Sequence, residues 1–357
     1  MSINVNSTAA LLGAFGVLDR ARPVLLTLFF RMMQTFETEE VYFDRVQRAR
    51  RLAPLVVPTV EGKPDRSRGY QTLGFKPPYL KPKHPIEPIK ALKRVAGERL
   101  LGDLSPKQRF DLALLDNMLI EDDEITRFEE WMASQILRTG AVSCKSDNHP
   151  EVYVDLQRNP LHTTALTGAL RWGQTGVDPL QNLRSWATTV QNNSGFHPGV
   201  VVMDPLAADL FINAPGVLRV MNAFRQTSGN VDLAGKVAGG ALGEEVQYLG
   251  TIGQFDIFVY QQIYTDAAGA TQKMMPDYTV IMGSPTGCGG VRTYGAVIDA
   301  DAIDGAPDDG SAVNRVAMSR FPKVWKNKDP GVWFSMTQSA PLPLLGWADA
   351  TFCATVN

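Results

Sequence analysis

The hydrophobic pattern is most regular between residues 107 and 139, a stretch of 33 residues that contains neither glycine nor proline. Its apolar residues recur at spacings of three and four with one longer gap, at Phe110, Leu114, Met118, Ile125, Phe128 and Met132. This spacing is typical of a helix with one buried face. At about 1.5 Å per residue, the helix would be roughly 50 Å long.

The ends of this helix carry recognisable boundary residues. Ser105 can cap the first turn, Pro106 suits the first helical position, and Gly140 favours termination. The acidic run EDDE (121–124) falls at the gap in the apolar stripe. We therefore expect one side of the helix to pack on the protein body and this acidic run to face water.

The segments after the long helix include both predicted strands and predicted helices. Strands are predicted at GAVSC and EVYVDLQ, followed by a helix at DPLQNLRSWATTVQ that Asp178 caps and Pro179 opens. PGVVVMD reads as a buried strand and PLAADLFIN as a helix, and β-rich segments follow to the end of the chain. These patterns predict an α+β fold whose strands are too dispersed for a doubly wound sheet.

Residues 41–104 contain eight prolines and only short apolar pieces. Proline has no backbone N–H to donate to a neighbouring strand, and it restricts the conformation of the residue before it. These residues are therefore not expected to form central strands of a sheet. An extended segment of this length inside a compact domain is uncommon, so we interpret residues 41–104 as a long hairpin with a functional or intermolecular role. Residues 1–40 read as an arm.

Charge is unevenly distributed, although the net charge is only −2. Residues 41–100 hold 14 Lys/Arg and 5 Asp/Glu, a net of +9, whereas residues 101–130 hold 3 and 9, a net of −6. The low overall charge argues against a dedicated nucleic-acid binder. Cys144, Cys288 and Cys353 lack pairing spacing, which favours reduced thiols in a cytoplasm. The apolar run PVLLTLFF is too short to span a bilayer.

A search for catalytic chemistry yields no site. GNVDLAGKV departs from a phosphate-binding loop in its spacing, and its lysine precedes valine instead of serine or threonine. Cys288 in GCGG has no informatively spaced histidine. DADAIDGAPDDG lacks the register and closing glutamate of a calcium loop, and EDDE is more often a solvated face than a metal site. We therefore expect no catalytic residue, metal or cofactor.

Three stretches carry a resemblance to a known family: GFKPPYLKPKHPIEP (74–88), GVRTYGAVIDADA (290–302) and FPKVWKNKDPGVWFSMTQSAPLPLL (321–345). In this order they resemble segments of the major capsid protein E family of bacteriophages. The resemblance implies the Hong Kong 97-type capsid fold. It implies an N-terminal arm at 1–40, an E-loop at 41–104, a peripheral domain with a spine helix at 105–177, an axial domain at 178–289, and a return to the peripheral domain at 290–357.

The function implied is a major capsid protein, a non-enzymatic subunit of hexamers and pentamers in an icosahedral shell around double-stranded DNA. Its implied partners are further copies, a scaffold protein, a portal, a decoration protein and non-specifically contacted DNA, with assembly in the host cytoplasm and no membrane. The opposite charges of the two adjacent segments predict that the E-loop of one subunit lies on the acidic helix of the next. The candidate interface residues are Arg45, Arg48, Arg51, Lys81, Lys83, His84, Glu121, Asp122, Glu124, Arg292 and Tyr294.

Three other readings stay open at this point. An encapsulin-like compartment would have the same fold but would enclose protein cargo. An α+β enzyme with an inserted lid would be a small oligomer with a ligand pocket that contains perturbed acids or bases. A DNA-binding protein using the arginine-rich stretch would show strongly salt-dependent binding.

Overall fold

The computed structural model describes residues 23–46, 70–93, 104–146, 149–220, 246–266, 268–303, 316–329 and 331–357, with single positions between 52 and 61. The described helices are α1 Val24–Phe29, α2 Pro88–Leu92, α3 Pro106–Thr139, α4 Pro179–Ser194, α5 Pro205–Ile212 and α6 Ala300–Ile303. The strands to Ala165 are β1 Met32–Thr35, β2 Val41–Val46, β3 Tyr70–Phe75, β4 Lys83–Ile86, β5 Ala141–Ser146, β6 His149–Asp155 and β7 Thr163–Ala165. Those that follow are β8 Val200–Met203, β9 Val246–Ile252, β10 Phe255–Tyr260, β11 Ile263–Thr265, β12 Thr271–Lys273, β13 Thr279–Gly283, β14 Gly290–Tyr294, β15 Phe321–Lys326, β16 Trp333–Gln338, β17 Pro341–Leu345 and β18 Thr351–Thr355.

The long helix is confirmed as α3, with 34 residues. Ser105 caps it reciprocally: its hydroxyl accepts from the Gln108 N–H, while the Gln108 side chain accepts from the Ser105 N–H. Gly140 ends it in the left-handed region, at φ 79°. Four residues of the apolar stripe are buried, namely Leu114, Met118, Ile125 and Met132. The helix therefore lies along the body with one face covered.

The largest sheet among the described residues is a six-stranded mixed sheet in the order β7-β18-β13-β8-β10-β9. Strand β8 is buried along its whole length, and it pairs parallel to β10 and antiparallel to β13. Asp178 and Asp204 cap α4 and α5 through their carboxylates. The predicted helices and the buried strand are confirmed. The sheet also includes β7 and β18, which lie outside residues 178–289. The predicted bounds of the axial domain therefore do not coincide with the bounds of this sheet, and they stay a prediction.

Two three-stranded sheets pack on α3, in the orders β1-β14-β17 and β15-β16-β4. The hydrophobic pattern does not predict strands β15 and β17, because both contain prolines. Both are edge strands, and β17 carries Pro341 and Pro343 where a missing N–H is tolerated. The C-terminal segment consequently supplies strands to three different sheets.

Parts of the predicted arm and of the predicted E-loop pack on their own chain. Helix α1, within the predicted arm, is buried against α3, and five of its six residues belong to the core. Residues 83–92, within the predicted E-loop, also pack on their own chain: β4 pairs with β16, and Ile86 lies with Leu114 and Met118 in one cluster. The apolar side chains of both segments find partners that are distant in the sequence.

Candidate assembly interface

We call residues 41–104, the basic segment that is predicted to be extended, the basic excursion. It begins with β2, which pairs with β3 as an antiparallel hairpin. Arg45 lies in β2 opposite Gln71. Arg48 and Arg51 lie outside the described residues. The next described side chains are apolar and almost entirely in solvent, since Leu52 and Leu55 expose 97% and 103% of their reference areas. The hairpin therefore leads to two leucines whose side chains are not covered by any of the residues that the structure describes.

Lys81, Lys83 and His84 lie on the segment that returns from the hairpin towards α3. The Lys83 ammonium is 4.0 Å from the ring centroid of Phe334, and Lys81 is 4.9 Å from that of Tyr79. His84 lies between two glutamates of α3, with Nδ1 3.7 Å from Glu121 Oε1 and Nε2 3.6 Å from Glu124 Oε1. These three residues are thus held by contacts within the subunit.

The acidic run of α3 divides between the two faces of the helix. Glu121 is completely buried and accepts hydrogen bonds from the hydroxyls of Ser335, at 2.6 Å, and Thr337, at 2.7 Å. Burial raises the pKa of Glu121 above its ordinary value, and the two hydroxyls oppose that rise. Asp122 is 3% exposed. The predicted solvated face is therefore wrong for Glu121 and Asp122 and holds for Glu124.

Arg320 explains why two more carboxylates can be buried. Its guanidinium donates to Asp122 Oδ1 and to Glu129 Oε1, both at 2.7 Å. Tyr294 donates to the other oxygen of Glu129, at 3.2 Å. Tyr294 is 3% exposed, so it is placed inside the subunit rather than on its surface. Burial, followed by the charge of Glu129, raises the pKa of Tyr294.

Sequence reasoning missed Arg320, although a signal for a buried cation exists. Asp122 and Glu129 are seven residues apart, which places them on one helix face, the face that also carries Ile125 and Met132. Arg292 lies close enough to this cluster for its positive charge to oppose the rise in the pKa of Tyr294. It is half-buried on β14, and its Nε has no hydrogen-bond partner among the described residues.

The outward face of α3 combines aliphatic and acidic side chains. Leu112 and Ile120 are 43% and 41% exposed, and Leu119 is half-buried beside them. Asp116 is exposed between them, and Asp123 is paired with Arg127 one turn later. We call this set, Leu112, Asp116, Leu119, Ile120, Asp123 and Glu124, the outer spine face. A helix face directed only to water would be polar throughout.

The other chemical candidates show no catalytic arrangement in the described part of the chain. Cys288 is buried, and burial raises the pKa of its thiol to about 11. No group of three metal-ligating side chains occurs among the described residues, and no described helix is long and apolar enough to cross a bilayer. The residues of GNVDLAGKV and most of DADAIDGAPDDG lie outside the described residues. A cavity of about 260 Å³ lies at the base of the hairpin, beside Lys76, Tyr79 and Lys81.

Solved structures identify the class of fold. The putative capsid protein of a prophage of E. coli CFT073 matches with a TM-score of 0.75 and 21% identity, over 98% of this chain and 99% of that one. The capsid of Ralstonia phage GP4 matches with a TM-score of 0.51 and 12% identity, over 95% and 93% of the two chains. The fold is that of the phage capsid proteins, the Hong Kong 97 type.

Sequence comparison then gives the family. Residues 7–356 match the phage major capsid protein E family. The major capsid proteins of Escherichia phage N15 and Escherichia phage lambda are each 32% identical over 351 residues, which cover 97% of this chain and 98% of each relative. This chain belongs to the phage major capsid protein E family, a family of structural capsid proteins of tailed phages and prophages.

Proposed function

We propose that this chain is the shell-forming subunit of a phage or prophage head, assembling as hexamers and pentamers into an icosahedral capsid around double-stranded DNA. Family membership over almost the whole chain supports the capsid role. The single structural observation that carries the assembly proposal is the complete exposure of Leu52 and Leu55. Their burial requires a second molecule, because nothing described in their own subunit covers them.

The occupant that we propose for the outer spine face is the basic excursion of a neighbouring copy. That excursion offers Arg48 and Arg51 next to the aliphatic Leu52 and Leu55. The outer spine face offers Asp116 and Glu124 among Leu112, Leu119 and Ile120. Apolar groups and opposite charges match on the two surfaces, and this match supports the pairing. Glu121, Asp122 and Tyr294 are buried and form hydrogen bonds within their own subunit. We therefore assign them no intersubunit contact.

The apolar residues supply most of the affinity in this pairing. An exposed ion pair contributes only about 0–1 kcal/mol, whereas full burial of a leucine side chain contributes about 1.5–3 kcal/mol. The charges mainly select the register and exclude wrong partners. Because symmetry repeats each contact in a closed shell, a modest interface per subunit suffices for a stable assembly.

The remaining partners follow from the same proposal. We assign to the shell a scaffold protein, a portal and a decoration protein, with DNA contacted through its phosphates and without sequence selection. The net charge of −2 supports this weak contact, because a strongly basic inner surface would bind packaged DNA tightly. We also propose that assembly takes place in the host cytoplasm.

Replacing Arg48 and Arg51 together with glutamate is expected to block assembly without unfolding the subunit. The change reverses the charge of the excursion next to its apolar residues, so contact with Asp116 and Glu124 becomes repulsive. Sucrose-gradient sedimentation with electron microscopy measures assembly, and circular dichroism of the slow fraction measures folding. The expected result is a folded, slowly sedimenting protein.

The matched control is Lys326→Glu with Lys328→Glu, which changes the net charge equally at exposed positions outside the excursion. This control is expected to assemble normally. Adding Asp116→Lys and Glu124→Lys to the arginine variant is expected to restore part of the assembly. Normal shells from the arginine variant, or equal failure of the lysine control, would exclude the proposed contact.

A further inference from the structure

Strand β1 is an edge strand whose outer side has no partner strand among the described residues. It pairs with β14, in parallel, and the three-stranded sheet ends there. The Phe36 N–H donates to the carbonyl oxygen of Tyr294 in β14, at 2.8 Å. Successive residues of a strand direct their backbone groups to opposite sides. The N–H and C=O groups of Met33 and Thr35 therefore face the open side.

The side chains of β1 are also open to solvent. Met32 and Met33 expose 56% and 57% of their reference areas, and Gln34 is exposed as well. Met32 and Met33 point to opposite faces of the sheet because they are consecutive, so both faces beside the edge are uncovered. Edge strands of natural proteins are usually protected by a lysine, a proline or a bulge. Strand β1 contains none of these, which suits it to pairing with another strand.

The charges at the two ends of β1 indicate which strand can pair with it. Arg31 is exposed directly before the strand, and Glu37 is exposed two positions after it. Parallel pairing of two copies would place like charges side by side at both ends. Antiparallel pairing about a two-fold axis brings Arg31 of each copy to Glu37 of the other. The ends of β1 are therefore complementary to those of a second copy in the antiparallel orientation.

One register satisfies the charges and the hydrogen bonds together. If Gln34 lies opposite Gln34 of the second copy, Arg31 lies opposite Glu37, and Met33 lies opposite Thr35. Met33 and Thr35 are the residues whose backbone groups face the open side, so they can exchange hydrogen bonds across the contact. A shift by one residue would place Met33 opposite Gln34, whose backbone groups face β14.

We propose that β1 docks on β1 of a second copy, antiparallel about a two-fold axis that passes through Gln34. This inference rests on the proposed capsid function and makes it more specific. Neighbouring capsomers of an icosahedral shell meet at two-fold and local two-fold axes, where a contact must be made by the same surface of both subunits. Pairing of β1 with itself meets this requirement, whereas the contact of the basic excursion with the outer spine face joins two different surfaces. Strand β1 thus links one capsomer to the next.

Replacing Gln34 with cysteine tests the register in the full-length chain. Opposed residues of an antiparallel pair that do not bond to each other have Cα atoms about 4.5 Å apart, a separation that a disulfide can span. Oxidation of assembled shells is expected to convert most chains to disulfide-linked dimers on non-reducing gels. The control Thr38→Cys, at an exposed position four residues from the axis, is expected to give none. The three native cysteines are buried and do not interfere.

A charge exchange tests whether the partner is a second copy of β1. In the Gln34→Cys background, Arg31→Glu places two glutamates opposite each other, and like charges in this position are destabilising. Cross-linking is therefore expected to fall. Adding Glu37→Arg restores opposite charges, with their positions exchanged, and is expected to restore cross-linking. Equal cross-linking of all three variants, or no recovery on adding Glu37→Arg, would overturn the proposed pairing.

Amide hydrogen exchange of the wild type tests the contact without any substitution. Exchange at Met33 and Thr35 is expected to be at least about tenfold slower in shells than in unassembled subunits. Equal protection of these amides in both fractions would overturn the proposed contact, because the edge would then be covered within the subunit or remain open in the shell. Shells whose Gln34→Cys variant gave no dimers would also overturn it and would leave the proposed function standing. Absence of any shell from the wild type would instead overturn the proposed function.

Discussion

Replacing Arg320 with methionine is expected to lower the free energy of unfolding by about 3–5 kcal/mol, the cost typical of breaking a buried ion pair by removing one partner. Arg320 has 10% of its side chain exposed, and its two carboxylate partners have 5% or less. Methionine keeps much of the volume but leaves Asp122 and Glu129 buried without their cation. Urea unfolding of the unassembled subunit measures the loss.

Two further variants test whether the stability loss of Arg320→Met comes from the buried ion pairs. Arg127→Met removes a pair with Asp123 on the exposed side of the same helix, and its expected cost is below about 1 kcal/mol. Replacing Arg320, Asp122 and Glu129 together with apolar residues of similar size is expected to recover much of the loss, because no uncompensated charge is left. A cost for Arg320→Met as small as that for Arg127→Met would contradict the buried network.

Substituting alanine for Gly290 is expected to cost about 3 kcal/mol or more, at or above the upper end of typical overpacking losses. A Cβ atom at this position would lie 2.1 Å from the carbonyl oxygen of Phe29 and 2.9 Å from its carbonyl carbon. These are backbone atoms of the buried helix α1, so no side-chain rotation can relieve the contact. Either α1 or β14 must move, and thermal unfolding is expected to report a much less stable subunit.

The control for Gly290 is Gly331, where an added Cβ would meet nothing within 4 Å. Gly331→Ala is expected to change the stability by no more than about 0.5 kcal/mol. If Gly290→Ala unfolded at the wild-type temperature, the close packing of α1 against β14 would be wrong.

The elements that could be predicted from the sequence are those whose signals are local. The helix 106–139 carries its cap, first proline, apolar stripe and terminating glycine within its own residues. Helix α4 is predicted equally well from Asp178 and Pro179. In both helices, residues within the element or next to it determine the structure. The β2–β3 hairpin agrees with the predicted extended hairpin, although its two strands are more than 20 residues apart in the sequence.

The elements that could not be predicted depend on partners far away in the chain. Helix α1 has only six residues, and its backbone N–H groups bind Glu130, more than 100 residues later. Hydropathy assigns Glu121 and Asp122 to the surface, because only folding brings Ser335, Thr337 and Arg320 to them. The outer spine face was not predicted, because the sequence does not show that Leu112 and Ile120, which lie off the apolar stripe, are exposed beside acidic side chains.

Sucrose-gradient sedimentation of the wild-type protein, with negative-stain microscopy of every fraction, tests the capsid assignment most directly. The protein should be expressed alone and with a scaffold protein of a related phage. We expect rapidly sedimenting closed shells, or tubes and partial shells that are built from hexamers. A single species of 39.1 kDa under both conditions would contradict it, because the exposed aliphatic residues of the excursion would then have no partner.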